Sequence, residues 1–111
     1  MNVKVYFTPT FNKKYKRYLK KFKSLENDLK IFIGDIETTN AADLGGGIFK
    51  YRLSVKSKNK GKSGGFRVIT FELLVAEDEK DITLLTIYDK SEQASISKLQ
   101  ILQILKDEDM K

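Results

Sequence analysis

Lys50, Arg52 and Lys56 fall at even spacings in Ile48 to Lys56, a stretch that alternates apolar with polar residues. A period of two predicts a β-strand. Phe49, Tyr51, Leu53 and Val55 take one face, and Lys50, Arg52, Ser54 and Lys56 the other. The three cations then share a surface. A polar, Gly-rich connection from Ser57 to Gly65 adds Lys58, Lys60 and Lys62, and the next strand-like segment opens with Arg67. Residues 50–67 hold seven positive charges and no acid. Such crowding is unfavourable unless an anion is expected. Mutual repulsion also favours loss of a proton from an amine, which equips a lysine for general acid–base work near neutrality. Lysines do guard solvent-facing sheet edges against aggregation, but guarding needs one or two cations rather than seven. The chemistry these types and spacings suit is the binding or turnover of a phosphate polyanion. Tyr88, Lys90 and Glu92 follow a second apolar run, where Tyr88 offers a ring and a hydroxyl and Lys90 a further cation.

Composition removes most other chemistries. The 111 residues contain no cysteine and no histidine. That excludes disulfides, thiolate zinc sites, thiol nucleophiles, Ser-His triads and His-ligated metals. No acidic cluster suggests a metal. Gly61-Lys62-Ser63 resembles the end of a P-loop, but position 56 is Lys where the motif needs Gly, and a strand follows where it needs a helix. Twenty-one Lys and Arg against fifteen Asp and Glu give a net charge of +6. The charge is segregated: residues 1–23 carry +8 and residues 24–49 carry −4, then 50–67 carry +7 and 68–111 carry −5. Two basic blocks on an otherwise acidic chain point to a polyanion partner on part of the surface. No apolar run approaches the length of a bilayer span. The segment MNVKVYFTPTF lacks the apolar stretch and cleavage site of a signal peptide, so the expectation is a small, basic, cytoplasmic protein with no membrane partner.

The elements that must position these residues are legible in outline. Val3 to Phe7 alternates as a short strand. Thr8-Pro9-Thr10 signals a helix start, with Thr8 as N-cap, and Phe11, Tyr15, Tyr18, Leu19 and Phe22 repeat at helical spacing. Leu25, Leu29, Phe32, Ile33 and Ile36 define a second helix ending near Thr38-Thr39, so the two should form a helical hairpin. Asn40 to Gly47, with its GGG run, reads as a loop. Phe66 to Ala76 is strand-like, residues 77–81 form an acidic turn, and Ile82 to Tyr88 is apolar almost throughout, as in a central strand. Ser95 or Ser97 caps a last helix, and Ser97 with Gln100 fits a capping box. The wide apolar stripe of that helix, including Ile101 and Ile104, suits burial against the protein's own core or against a partner chain. The order predicts an α+β fold in one domain, 1–111: an antiparallel meander sheet of about four strands, a helical hairpin and a C-terminal helix, with the helices on one side.

The stretch FKYRLSVKSKNKGKSGGFR (49–67), followed by LLTIYDKSE (84–92), resembles the RelE-family toxins of type II toxin–antitoxin systems, in particular the HigB-like branch. The resemblance covers about residues 44–105. It implies the RelE fold and a metal-independent endoribonuclease, or mRNA interferase, that cleaves mRNA, typically on the ribosome, and so inhibits translation. It also implies a cognate antitoxin as partner. Lys50 and Arg52 match two lysine positions of the family's site, one of them replaced by arginine, and Arg67 matches the arginine after the loop. A later arginine and tyrosine of the family have no counterpart, and Tyr88 and Lys90 are what the HigB-like branch shows instead.

RNA cleavage by its own 2′-OH needs a base, cations around the phosphorane, and an acid for the leaving oxygen. The expected roles are Lys50 or Lys56 as base, Arg52 and Arg67 as phosphate clamps, and Lys90 or Tyr88 as acid or base-stacking group. Lys58, Lys60 and Lys62 are expected to hold the RNA backbone. No cofactor or metal is required. The alternatives are a non-catalytic RNA- or DNA-binding domain and a degenerate toxin that only binds partners.

Overall fold

The computed structural model describes residues 1–58 and 65–108. Lys60, Lys62 and the Gly61-Lys62-Ser63 string lie outside the described residues. Strand β1 (Asn2–Phe7) leads into helices α1 (Pro9–Leu19) and α2 (Leu25–Gly34). Strands β2 (Ala41–Gly45), β3 (Ile48–Leu53), β4 (Phe66–Ala76) and β5 (Glu79–Asp89) follow, then helix α3 (Lys98–Asp107). The fold class is α+β, with three helices and a five-stranded sheet in the order β1-β5-β4-β3-β2.

Three expectations are corrected. First, the sheet is mixed, because β1 pairs parallel with β5 while the other neighbours are antiparallel. An apolar strand buried on both faces requires a neighbour on each edge, and β1 supplies the second one. Second, the segment read as a loop contains β2. Gly45, Gly46 and Gly47 all have positive φ, a region glycine enters without steric cost. They turn the chain tightly enough for Gly45 to pair with Ile48. Third, the helices occupy both faces. The hairpin covers one with Phe11, Tyr18, Leu25, Leu29 and Phe32 against Tyr51, Leu53, Phe66, Val68 and Leu84. Helix α3 covers the other, with Ile101 against Ile48, Ile69, Leu85 and Tyr88.

A bulge in β5 shifts the alternation of this strand, so that Leu84 and Ile87 share one face and Leu85 and Tyr88 the other. Ile69 pairs with Thr86 and Thr70 with Leu84, so Leu85 is the extra residue. Leu84 then joins the hairpin-side core while Leu85 joins the α3-side core. Thr8 secures the start of α1 to the same place. Its hydroxyl accepts from Phe11 N–H at 2.9 Å and donates to the Leu85 carbonyl at 2.8 Å. At α3 the capping box forms as the sequence predicts, with Ser97 and Gln100 exchanging hydrogen bonds. Leu99 and Leu102 of α3 remain exposed. Among the described residues no helix is long and apolar enough to cross a membrane.

Candidate functional site

The α3 side of the sheet has an uncovered end, and the cations gather there. Alternation along β3 places Phe49, Tyr51 and Leu53 in the hairpin-side core, so Lys50 and Arg52 face the other way. Arg52 stands opposite Arg67 on β4, and Arg67 stands opposite Tyr88 on β5. Lys50, Arg52, Arg67 and Lys90 line one cleft of about 750 Å³. Its remaining walls are Thr39, Asn40, Ala41 and Ala42, leading into and along β2, and Ala94. The alanines end at Cβ, which leaves the space between the walls open.

Among the described residues four cations and no carboxylate line this cleft. Ion pairs among the described residues join Lys4 to Glu79, Arg17 to Glu92, Lys58 to Asp89 and Lys80 to Glu72. None involves a cleft cation. Like charges directly opposite on neighbouring strands destabilise a sheet, and the Arg52–Arg67 pair is such a case. Arg67 is only 8% exposed. Its guanidinium donates to the Phe66 carbonyl at 3.3 Å, which uses one of five N–H donors. A buried, unpaired guanidinium is costly, and a planar phosphate or carboxylate edge would satisfy it bidentately.

The other residues singled out in the sequence lie elsewhere. Lys56 comes after the strand, which ends at Leu53 rather than at Lys56. Its backbone N–H donates to Asp28 Oδ2 at 3.0 Å, its side chain is exposed, and it is not among the cleft's lining residues. Tyr88 is 1% exposed beneath α3, and its hydroxyl has no hydrogen-bond partner among the described residues. Burial raises its pKa, opposed by the neighbouring Arg67 charge, so the phenol stays protonated at neutral pH. Lys58 is engaged on the hairpin side, with its Nζ 3.0 Å from Asp89 Oδ1 and 5.6 Å from the Phe22 ring centre. Among the described residues no group of three or more acidic side chains could hold a metal ion.

The cleft walls at residues 39–42 and 94 escaped the sequence reading. Small and uncharged, they carry no chemical signal, and β2 was itself obscured by the glycine run.

A protein-family model described as "RelE toxin of RelE / RelB toxin-antitoxin system" matches residues 4–107. No curated protein matches the chain.

Proposed function

We propose, from the premise that this chain belongs to the RelE toxin family, that the cationic cleft is the active site of an endoribonuclease acting on mRNA. Membership makes the protein the toxin of a toxin–antitoxin system, with an antitoxin as its partner. The observation that carries the nuclease reading is the set of four cleft cations with no counter-charge among the described residues, one of them a nearly buried arginine.

The arrangement suits transfer to the 2′-hydroxyl. Arg52 and Arg67, opposite each other on the floor, clamp the scissile phosphate and hold the charge that grows on its equatorial oxygens. Lys50, two residues before Arg52, and Lys90, beyond the end of β5, lie to either side of that pair. An in-line displacement needs its base and its acid on opposite sides of phosphorus, and the positions of Lys50 before Arg52 and Lys90 beyond β5 support those two roles. In the proposed step Lys50 Nζ takes the 2′-OH proton. The 2′-oxygen bonds to phosphorus, the bond to the 5′-oxygen breaks, and Lys90 protonates that oxygen. The products are a 2′,3′-cyclic phosphate and a 5′-hydroxyl. Tyr88 and Lys56, the alternative acid and base, do not line the cleft.

Ribosome dependence fits the size of the site. A cleft of about 750 Å³ is in the range that houses one drug-sized ligand, so it takes a nucleotide or two. A ribosome presents such a short stretch of message in fixed register. The reading as a HigB-like member rests on the sequence stretches 49–67 and 84–92 taken together, with Tyr88 and Lys90 in the second.

The test is primer extension on a translated reporter mRNA after induction of the toxin without its antitoxin. Codon-phased breaks are expected, absent when translation is blocked and absent with Arg67→Ala. A binding module without catalysis would give no breaks, and each cleft Lys→Ala change would weaken RNA binding by small, similar steps.

A further inference from the structure

The turn that brings Lys90 to the cleft is anchored from the opposite face of the sheet. Asp89 sits opposite Phe66 in the β4–β5 ladder, on the hairpin side, and is 2% exposed. Its Oδ1 accepts from Ser91 N–H at 2.9 Å and from the Ser91 hydroxyl at 2.8 Å. Lys58 Nζ lies 3.0 Å from Oδ1 and 3.1 Å from Oδ2. On the other flank, the Tyr18 hydroxyl of α1 accepts from Asp89 N–H at 3.2 Å and donates to Glu92 Oε1 at 2.9 Å. Lys90 N–H donates to the Gly65 carbonyl at 3.1 Å. Residues 89 and 92 bracket Lys90, and both are held by groups that do not touch the cleft.

We infer that Lys58 and Tyr18 are positioning residues: through Asp89 and Glu92 they fix the turn that sets Lys90 in the cleft. The inference rests on the nuclease reading above, with Lys90 as a group at the scissile linkage. Two physical consequences follow from the anchoring. The turn is over-determined by five hydrogen bonds around Asp89 and Tyr18, so the Lys90 backbone has little freedom. The Asp89 carboxylate is also kept on the far face, where Lys58 neutralises it. It therefore cannot compete with phosphate for the cleft cations next to it in the chain.

The test is a double-mutant cycle on cleavage of a reporter mRNA bound to purified ribosomes, with kcat and KM measured separately. Lys58→Met is expected to lower kcat by about 10- to 100-fold, the order that a small misplacement of a reacting group costs, and to leave KM nearly unchanged. Lys58→Arg, which keeps the charge and the hydrogen bonds, should restore most of the rate. On a Lys90→Met background, Lys58→Met should add no further loss, because its effect passes through Lys90. Tyr18→Phe should show the same dependence on Lys90, and it carries the test if Lys58→Met does not fold. Losses that multiply on the Lys90→Met background would overturn the inference in favour of general destabilisation. A rise in KM at unchanged kcat would overturn it too, and would make Lys58 a contact to the RNA backbone. An unchanged rate in both Lys58→Met and Tyr18→Phe would also end it. Arg67→Ala separates the two levels of the argument. Its failure to reduce cleavage removes the nuclease reading, whereas loss with Arg67→Ala and none with Lys58→Met removes only the positioning role.

Discussion

Arg67 illustrates how a site can be stored as local instability. Its side chain lies nearly buried opposite Arg52 and forms no ion pair among the described residues. Arg67→Met should therefore abolish cleavage while raising stability by about 1 kcal/mol, as removal of an uncompensated buried charge does. The midpoint of urea unfolding measures this, and a lower midpoint would show that the guanidinium is compensated after all. Asp89 behaves in the opposite way. Burial pushes its pKa up, but the Ser91 hydrogen bonds and Lys58 outweigh that, and the net shift is downward. A depressed carboxylate pKa means stabilisation that is fully present above the ordinary value, near pH 4, and lost as pH falls through the folded-state value. Asp89→Asn should thus cost about 1–3 kcal/mol at pH 7 and progressively less as pH falls below about 4, read as the difference between urea midpoints along a pH series. At this scale the sequence was most informative. Alternation puts Lys50 and Arg52 on one face, since the period of two leaves no other choice, whereas the position of Arg67 opposite Arg52 depends on the β3–β4 register. Lys56 departs from that face because hydrogen-bonded pairing stops at Leu53, although Val55 stays buried. Hydropathy continues past the point where the ladder ends.

Among the elements, β2 has the largest consequence for the site and gave the weakest signal. Ala42 pairs with Lys50, so a side chain added there reaches directly over the cleft. Ala42→Glu should place a carboxylate beside Lys50. It should be neutral or slightly stabilising, by up to about 1 kcal/mol, as opposite-charge cross-strand pairs are, and it should suppress RNA cleavage strongly. Retained cleavage with an unchanged unfolding midpoint would show that β2 is not a wall of the working site. At the other end of the sheet, Thr8 ties α1 to the β5 bulge with both its hydrogen-bonding capacities. Thr8→Val removes the cap and leaves the Leu85 carbonyl without that donor, a loss of about 1–3 kcal/mol expected in thermal or urea unfolding. The helix starts at Thr8 and Ser97 were legible because capping is local chemistry. The bulge was not, because it depends on the register of two strands.

For the molecule as a whole, the sequence carried the fold class and the polyanion expectation, but not the sheet order or the side on which α3 lies. Both depend on which distant segments meet, and no local pattern records that. The parallel pairing of β1 with β5 joins Asn2 to Glu79 and Phe7 to Leu84, and contacts so far apart in the chain form late. In a growing chain β1 therefore stays unpaired until β5 has been made. The cleft cations, drawn from β3, β4 and the turn beyond β5, come together only once β5 has docked against its neighbours.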